Sequence, residues 1–101
     1  MMDKYTQWKI HEMKEKKMVE QHGVCQGCGK SFRIGDKLEL AHILPKRKYL
    51  IKLYGDEIIN HELNMKLTHD GFCNSAVQMS PNKTELVEAH VAMIRKAIED
   101  N

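Results

Sequence analysis

The chain has 101 residues, the length of one domain, with 42% hydrophobic and only 6% aromatic residues. A core this small gains from a metal ion or a partner chain. No apolar run approaches the roughly 20 residues that cross a bilayer, and the charged N-terminal stretch MMDKYTQWKIHEMKEKK lacks the apolar segment of a signal peptide. We therefore expect a soluble, cytoplasmic protein with no membrane contact.

Charge is unevenly distributed along the chain, although the net charge is only +2. Residues 30–52 hold seven lysines and arginines against two acids, whereas residues 53–101 hold eight acids against four bases. A basic block can follow a phosphate backbone. Without further evidence, a solvated surface is the commoner explanation of such a basic block.

The first predicted element is a helix over residues 3–22, on which Tyr5, Trp8, Met13 and Val19 share a broad apolar stripe. Two short strands follow at residues 31–34 and 37–43. The glycine-containing turn between them predicts that they pair as a hairpin.

The second half of the chain alternates short elements. One or two helical turns are predicted over residues 46–55, a loop over residues 55–62, a strand over residues 65–67 and a short helix over residues 73–79. Thr84 is predicted to cap a final helix that ends near Glu99.

Three cysteines cannot pair fully with one another, so the Cys25-x-x-Cys28 pair predicts a metal site more than a disulfide. Gly27 and Gly29 allow the turn that points both sulfur atoms inward. A second pair, His69-x-x-x-Cys73, completes a Cys3His set, which suits a structural zinc ion. A redox pair is the competing interpretation, but such pairs usually begin a helix after a strand.

Between the two pairs lies Leu38-Glu39-Leu40-Ala41-His42-Ile43-Leu44-Pro45, followed later by Asn64-Met65-Lys66-Leu67 and by Cys73-Asn74. In this order the segments resemble the HNH endonuclease family over residues 25 to about 80. The resemblance implies an α+β fold with a ββα-metal core. Together with the chain length and the predicted terminal helices, we expect one domain over residues 1–101: an N-terminal helix (1–23), a zinc-bound core (24–80) and a C-terminal helix (82–101).

The resemblance also assigns roles residue by residue. His42 matches the general base, since an imidazole titrates near operating pH. Asn64 matches the loop asparagine thought to orient that imidazole. Asn74 matches a ligand of a catalytic divalent cation, for which Mg²⁺ or Mn²⁺ is expected. Phosphate contacts are expected from the basic block at Lys46, Arg47, Lys48 and Lys52.

The sequence departs from the family pattern at Ala41, where an aspartate or histidine usually binds the catalytic metal. We favour Glu39 and His61 as the replacement ligands. Asp56 and Glu62, which lie with His61 in the loop predicted over residues 55–62, are further candidates. A second departure is the extra residue between His69 and Cys73.

These features predict a metal-dependent endonuclease that cuts DNA, nicking one strand per active site and acting as a monomer or a homodimer. The alternative that Ala41 supports is a non-catalytic zinc-knuckle module that binds nucleic acid or protein. A small zinc-dependent regulatory subunit is the third hypothesis.

Overall fold

The computed structural model describes residues 4–100, which form an α+β fold. Its elements are α1 (Lys4–Glu20), β1 (Leu38–His42), α2 (Lys48–Tyr54), α3 (Asp56–Ile59), a 3-10 turn (Glu62–Asn64), β2 (Met65–His69), α4 (Phe72–Ala76) and α5 (Thr84–Glu99). None of these described helices is both long and apolar enough to cross a membrane.

Strands β1 and β2 form a two-stranded antiparallel sheet in which Leu40 lies opposite Leu67. The predicted hairpin between residues 31–34 and 37–43 is therefore wrong. Ser31 instead forms an isolated bridge to Val24, which closes the turn that carries the first two cysteines. The pairing partner of β1 is distant in sequence, and its side chains at Met65, Leu67 and Thr68 are buried.

The main hydrophobic core lies between the connection that follows β1 and helix α5. Its buried members are Leu44, Leu50, Ile58, Ile59, Val87, Val91 and Ile94. Burial of the two isoleucines explains why residues 56–59 form helix α3 and not the predicted loop. Lys83 occupies the N-cap of α5 without a side-chain bond, so the predicted Thr84 cap is also wrong.

Helix α1 turns an unexpected face toward the sheet. Tyr5, Trp8 and Val19, which were predicted to share an apolar stripe with Met13, are 65%, 57% and 76% exposed. The less exposed positions instead follow helical spacing along another face: Ile10, Met13, Lys14, Lys17, Met18 and Gln21. Half of this face is polar, which is why the apolar pattern of the sequence indicated the wrong side.

Two of the polar residues on that face, Lys14 and Gln21, bind backbone groups of the sheet. The Lys14 ammonium donates to the Leu38 carbonyl at 3.0 Å. The Gln21 amide donates to the Leu67 carbonyl at 2.9 Å and accepts from the Leu67 N–H at 2.8 Å. A strand edge leaves such groups unpaired, and Lys14 of α1 and Gln21, directly after α1, bind them here.

Candidate metal centre and the cleft beside it

The four residues predicted as zinc ligands meet in space. The candidate ligand atoms of Cys25, Cys28, His69 and Cys73 all lie within 4.8 Å of one another. The Nδ1 atom of His69 lies 3.6 Å from the Cys28 sulfur and 3.8 Å from the Cys73 sulfur. Tetrahedral zinc bonds imply about 3.6 Å between sulfur and nitrogen ligands. The cluster can therefore hold a metal ion such as zinc.

The turn around Cys25 positions the first two sulfur atoms. The Cys25 sulfur is buried and accepts hydrogen bonds from the N–H groups of Gly27 at 3.3 Å and of His69 at 3.5 Å. A Cβ atom at Gly27 would lie 2.5 Å from the Cys73 carbonyl oxygen. Gly27 is therefore needed for the close approach of the two cysteine segments, whereas Gly29, with φ of 76°, provides the turn.

Asp36 fixes the orientation of the His69 ring and was missed by the sequence analysis. Its carboxylate accepts from His69 Nε2 at 2.9 Å and from the Arg33 N–H at 2.8 Å. The bond to Nε2 leaves Nδ1 to face the sulfur atoms, which is the usual arrangement of a carboxylate behind a histidine ligand. The ring of Phe32 packs edge-on against the same imidazole, 5.0 Å between centroids.

The hydrogen bond between Asp36 and His69 shifts the pKa of both groups. The Arg33 N–H and then the His69 imidazole lower the pKa of Asp36. The hydrogen bond to Asp36 is the main cause that raises the pKa of His69. The pair therefore favours a charged carboxylate, which increases the electron density that the imidazole offers a cation.

The thiols differ in acidity when no metal charge acts on them. Burial raises the pKa of Cys25, but the N–H groups of Cys28, His69 and Gly27 outweigh it, and the pKa falls to about 6. Burial and the neighbouring sulfur atoms of Cys25 and Cys28 raise the pKa of Cys73 to about 11. Cys25 therefore ionises at lower pH than Cys73, and binding of a cation must displace a proton from Cys73.

His42 ends strand β1 and borders a cleft of about 530 Å³ between this strand and helix α1. Its Nε2 atom lies 3.2 Å from the side-chain oxygen of Asn60. Because an amide oxygen only accepts, Nε2 carries the proton in this contact and Nδ1 of the neutral ring holds the lone pair. Asn60 closes the short helix α3, and the sequence analysis did not single it out.

Asn64 has a different set of contacts from the one expected. Its amide oxygen accepts from the Leu44 N–H and from His90 Nε2, both at 2.9 Å. Its amide nitrogen donates to the carbonyls of Leu44 at 3.1 Å and Ile59 at 2.7 Å. The side chain is fully buried with every hydrogen-bonding position used. Asn64 therefore fixes the backbone of Leu44, two residues beyond His42, and forms no hydrogen bond with the His42 imidazole.

Glu39 and Asn74, two of the expected ligands of a catalytic cation, are in contact. The Asn74 amide nitrogen lies 2.7 Å from a carboxylate oxygen of Glu39. Helix α4 makes this possible, because it packs on both strands and carries Asn74 directly after Cys73. Glu39 also borders the cleft that His42 borders.

The other candidates for the same cation have different contacts. His61 Nδ1 accepts from the Leu63 N–H at 3.1 Å and caps the 3-10 turn. Glu62 forms an ion pair with Lys16 at 2.7 Å. Within residues 4–100, no hydrogen bond joins His61 to Glu39 or Asn74. Ala41 is fully buried and offers no ligand atom.

The basic residues predicted to contact DNA are all exposed. They lie in the loop after β1 and on helix α2, and they are Lys46, Arg47, Lys48 and Lys52. Lys46 also borders the cleft. Comparison with protein-family models, with curated proteins and with solved structures found no match to this chain.

Proposed function

We propose that this protein is a metal-dependent endonuclease of the HNH type that hydrolyses DNA phosphodiester bonds. The observation that carries the proposal is that His42 and Glu39, the latter bonded to Asn74, border one cleft. A base for activating water and oxygen ligands for a cation are the two requirements of phosphodiester hydrolysis without a covalent intermediate.

The arrangement of secondary structure supports the same proposal. Strands β1 and β2 pair antiparallel and helix α4 packs on both of them, and these contacts support a ββα core. In this interpretation zinc at the Cys3His cluster joins the turn at Cys25 to the start of α4. It thereby fixes Asn74, which is the residue after Cys73.

His42 acts as the general base in the proposed reaction. Its unprotonated Nδ1 takes a proton from water while the water oxygen bonds to phosphorus and the bond from phosphorus to one deoxyribose oxygen breaks. The leaving oxygen keeps the electron pair of that bond and is protonated by solvent. Asn60 holds the ring in the tautomer that leaves Nδ1 available.

The residues at Glu39 and Asn74 fit a hard divalent cation. A carboxylate and an amide oxygen are ligands that Mg²⁺ and Mn²⁺ accept, and such ions commonly retain several waters. The bound cation would supply positive charge to the phosphate and to the leaving oxygen. Two protein ligands are fewer than the family pattern provides, so we expect millimolar rather than micromolar requirements for the cation.

Buried Ala41 favours a second candidate function, a zinc-knuckle module that binds nucleic acid without cutting it. The two functions differ in a plasmid assay. Supercoiled plasmid should become nicked when the protein is incubated with Mg²⁺ or Mn²⁺ and should stay intact without either cation. Retarded but intact plasmid with both cations would support the binding module and contradict the endonuclease. A monomer is expected to nick, and a homodimer to make double-strand breaks.

A further inference from the structure

Helix α1 lies outside the segment that resembles the HNH family, yet its N-terminal half borders the cleft of His42. The floor of this cleft is apolar and comes from both elements, with Ile10 and Met13 on α1 and Leu40 and Met65 on the sheet. The cleft therefore depends on α1.

The rim of the cleft is predominantly cationic. Among the described residues that border it are three lysines, Lys9, Lys14 and Lys46, and one acid, Glu39. Lys14 donates to the Leu38 carbonyl, which leaves it anchored to the strand. Lys9 and Lys46 are exposed, one on α1 and one in the loop that follows β1.

Lys9 is held at the rim by its neighbour. Its ammonium nitrogen lies 5.5 Å from the centroid of the Tyr5 ring. A cation over an aromatic face gains a modest electrostatic attraction at an exposed site. This contact keeps the charge on the N-terminal half of α1 and leaves the ammonium accessible to an anion.

We propose that helix α1 forms one wall of the DNA-binding groove, with Lys9 and Lys46 contacting phosphates of the strand that passes His42. The inference rests on the proposed function, because it places the substrate in the cleft of the proposed general base. The positive rim matches the charge of a phosphate backbone, and the uncharged floor fits the deoxyribose face between phosphates. Such contacts position the strand without reading its sequence.

The test measures binding without cleavage. His42→Ala protein is titrated into a short fluorescent DNA duplex at several KCl concentrations with no added divalent cation. The Lys9→Gln substitution is then added, with Lys96→Gln as the control, since Lys96 is an exposed lysine on α5 far along the chain. Each lost phosphate contact should reduce the slope of log Kd against log[KCl] by about 0.9.

We expect Lys9→Gln to weaken binding and reduce this slope, and Lys96→Gln to leave both unchanged. Equal slopes for the two variants would overturn the inference while leaving plasmid cleavage, and thus the proposed function, as a separate question. Wild-type protein that binds the duplex through Lys9 but never nicks plasmid would contradict only the proposed function.

Discussion

The Asn74 amide and the Glu39 carboxylate, 35 residues apart in sequence, lie 2.7 Å apart and connect helix α4 to strand β1. Asn74 follows a residue of the Cys3His cluster, whereas Glu39 borders the cleft that contains His42. This contact therefore joins the Cys3His cluster to the proposed active site. Anything that displaces Cys73 should also displace Asn74.

The Cys28→Ser substitution should abolish tight zinc binding. A serine hydroxyl does not replace a thiolate as a zinc ligand, so the substitution removes one of four ligands. Purified wild-type protein should contain about one zinc ion per chain and the variant far less, as measured by elemental analysis. Gln26→Ala in the same turn is the control, because its exposed side chain offers no ligand. Equal zinc in wild type and Cys28→Ser would contradict the assigned cluster.

Replacing Asp36 by asparagine should weaken zinc binding without abolishing it. The substitution keeps the shape of the side chain but removes the negative charge behind the His69 ring. Loss of such a contact typically costs 10–100-fold in metal affinity, so we expect a decrease of about that size. Competition with a chromophoric chelator measures it. Asp70→Asn is the matched control; an equal effect there would show that general charge, and not the bond to His69, is responsible.

Asn64→Ala should strongly destabilise the fold. The truncation leaves the N–H and carbonyl of Leu44, the carbonyl of Ile59 and the His90 ring without their partner in a buried site. Unsatisfied buried groups cost about 1–3 kcal/mol each, so we expect the free energy of unfolding to fall by at least about 3 kcal/mol. Denaturant unfolding measures this change. Exposed Asn82→Ala should stay within about 0.5 kcal/mol of wild type, and similar values for the two variants would contradict the role of Asn64.

His90 should make the protein less stable at mildly acidic pH. Burial, and then the charge of Lys66, lower the pKa of His90 below its usual 6.5. The unfolded chain therefore binds this proton more readily than the folded chain, and stability is lost as pH falls from about 6.5 through the folded pKa. His90→Gln keeps a donor for Asn64 but does not titrate. The difference in unfolding free energy between the two proteins should decrease as pH is lowered, whereas a constant difference would rule out this role.

The cluster of four ligands was the most predictable feature, because the spacing of Cys25, Cys28, His69 and Cys73 carries the information locally in two short pairs. The pairing of β1 was not predictable in the same way. A strand with alternating side chains fits any neighbour of similar pattern, and the true partner, β2, lies beyond two intervening helices. The Gly35-Asp36 turn instead favoured a hairpin with the nearer predicted strand at residues 31–34.

Residues that act on other side chains were also missed. Asp36 has the sequence environment of an ordinary turn residue, and only its distance to His69 reveals its second role. Asn60 resembles a loop asparagine until its contact with His42 is seen. The inward face of α1 was misjudged because Lys14 and Gln21 bind backbone groups of the sheet, which hydrophobic periodicity cannot indicate.

Cleavage of supercoiled plasmid by the His42→Ala variant tests the central claim most directly. His11 is an exposed histidine on α1, and His11→Ala serves as the matched control. With Mg²⁺ or Mn²⁺ present, wild type and His11→Ala should nick the plasmid at similar rates, and His42→Ala should be slower by about 100-fold or more, the range for loss of a general base. Nicking by His42→Ala at the wild-type rate would contradict the account.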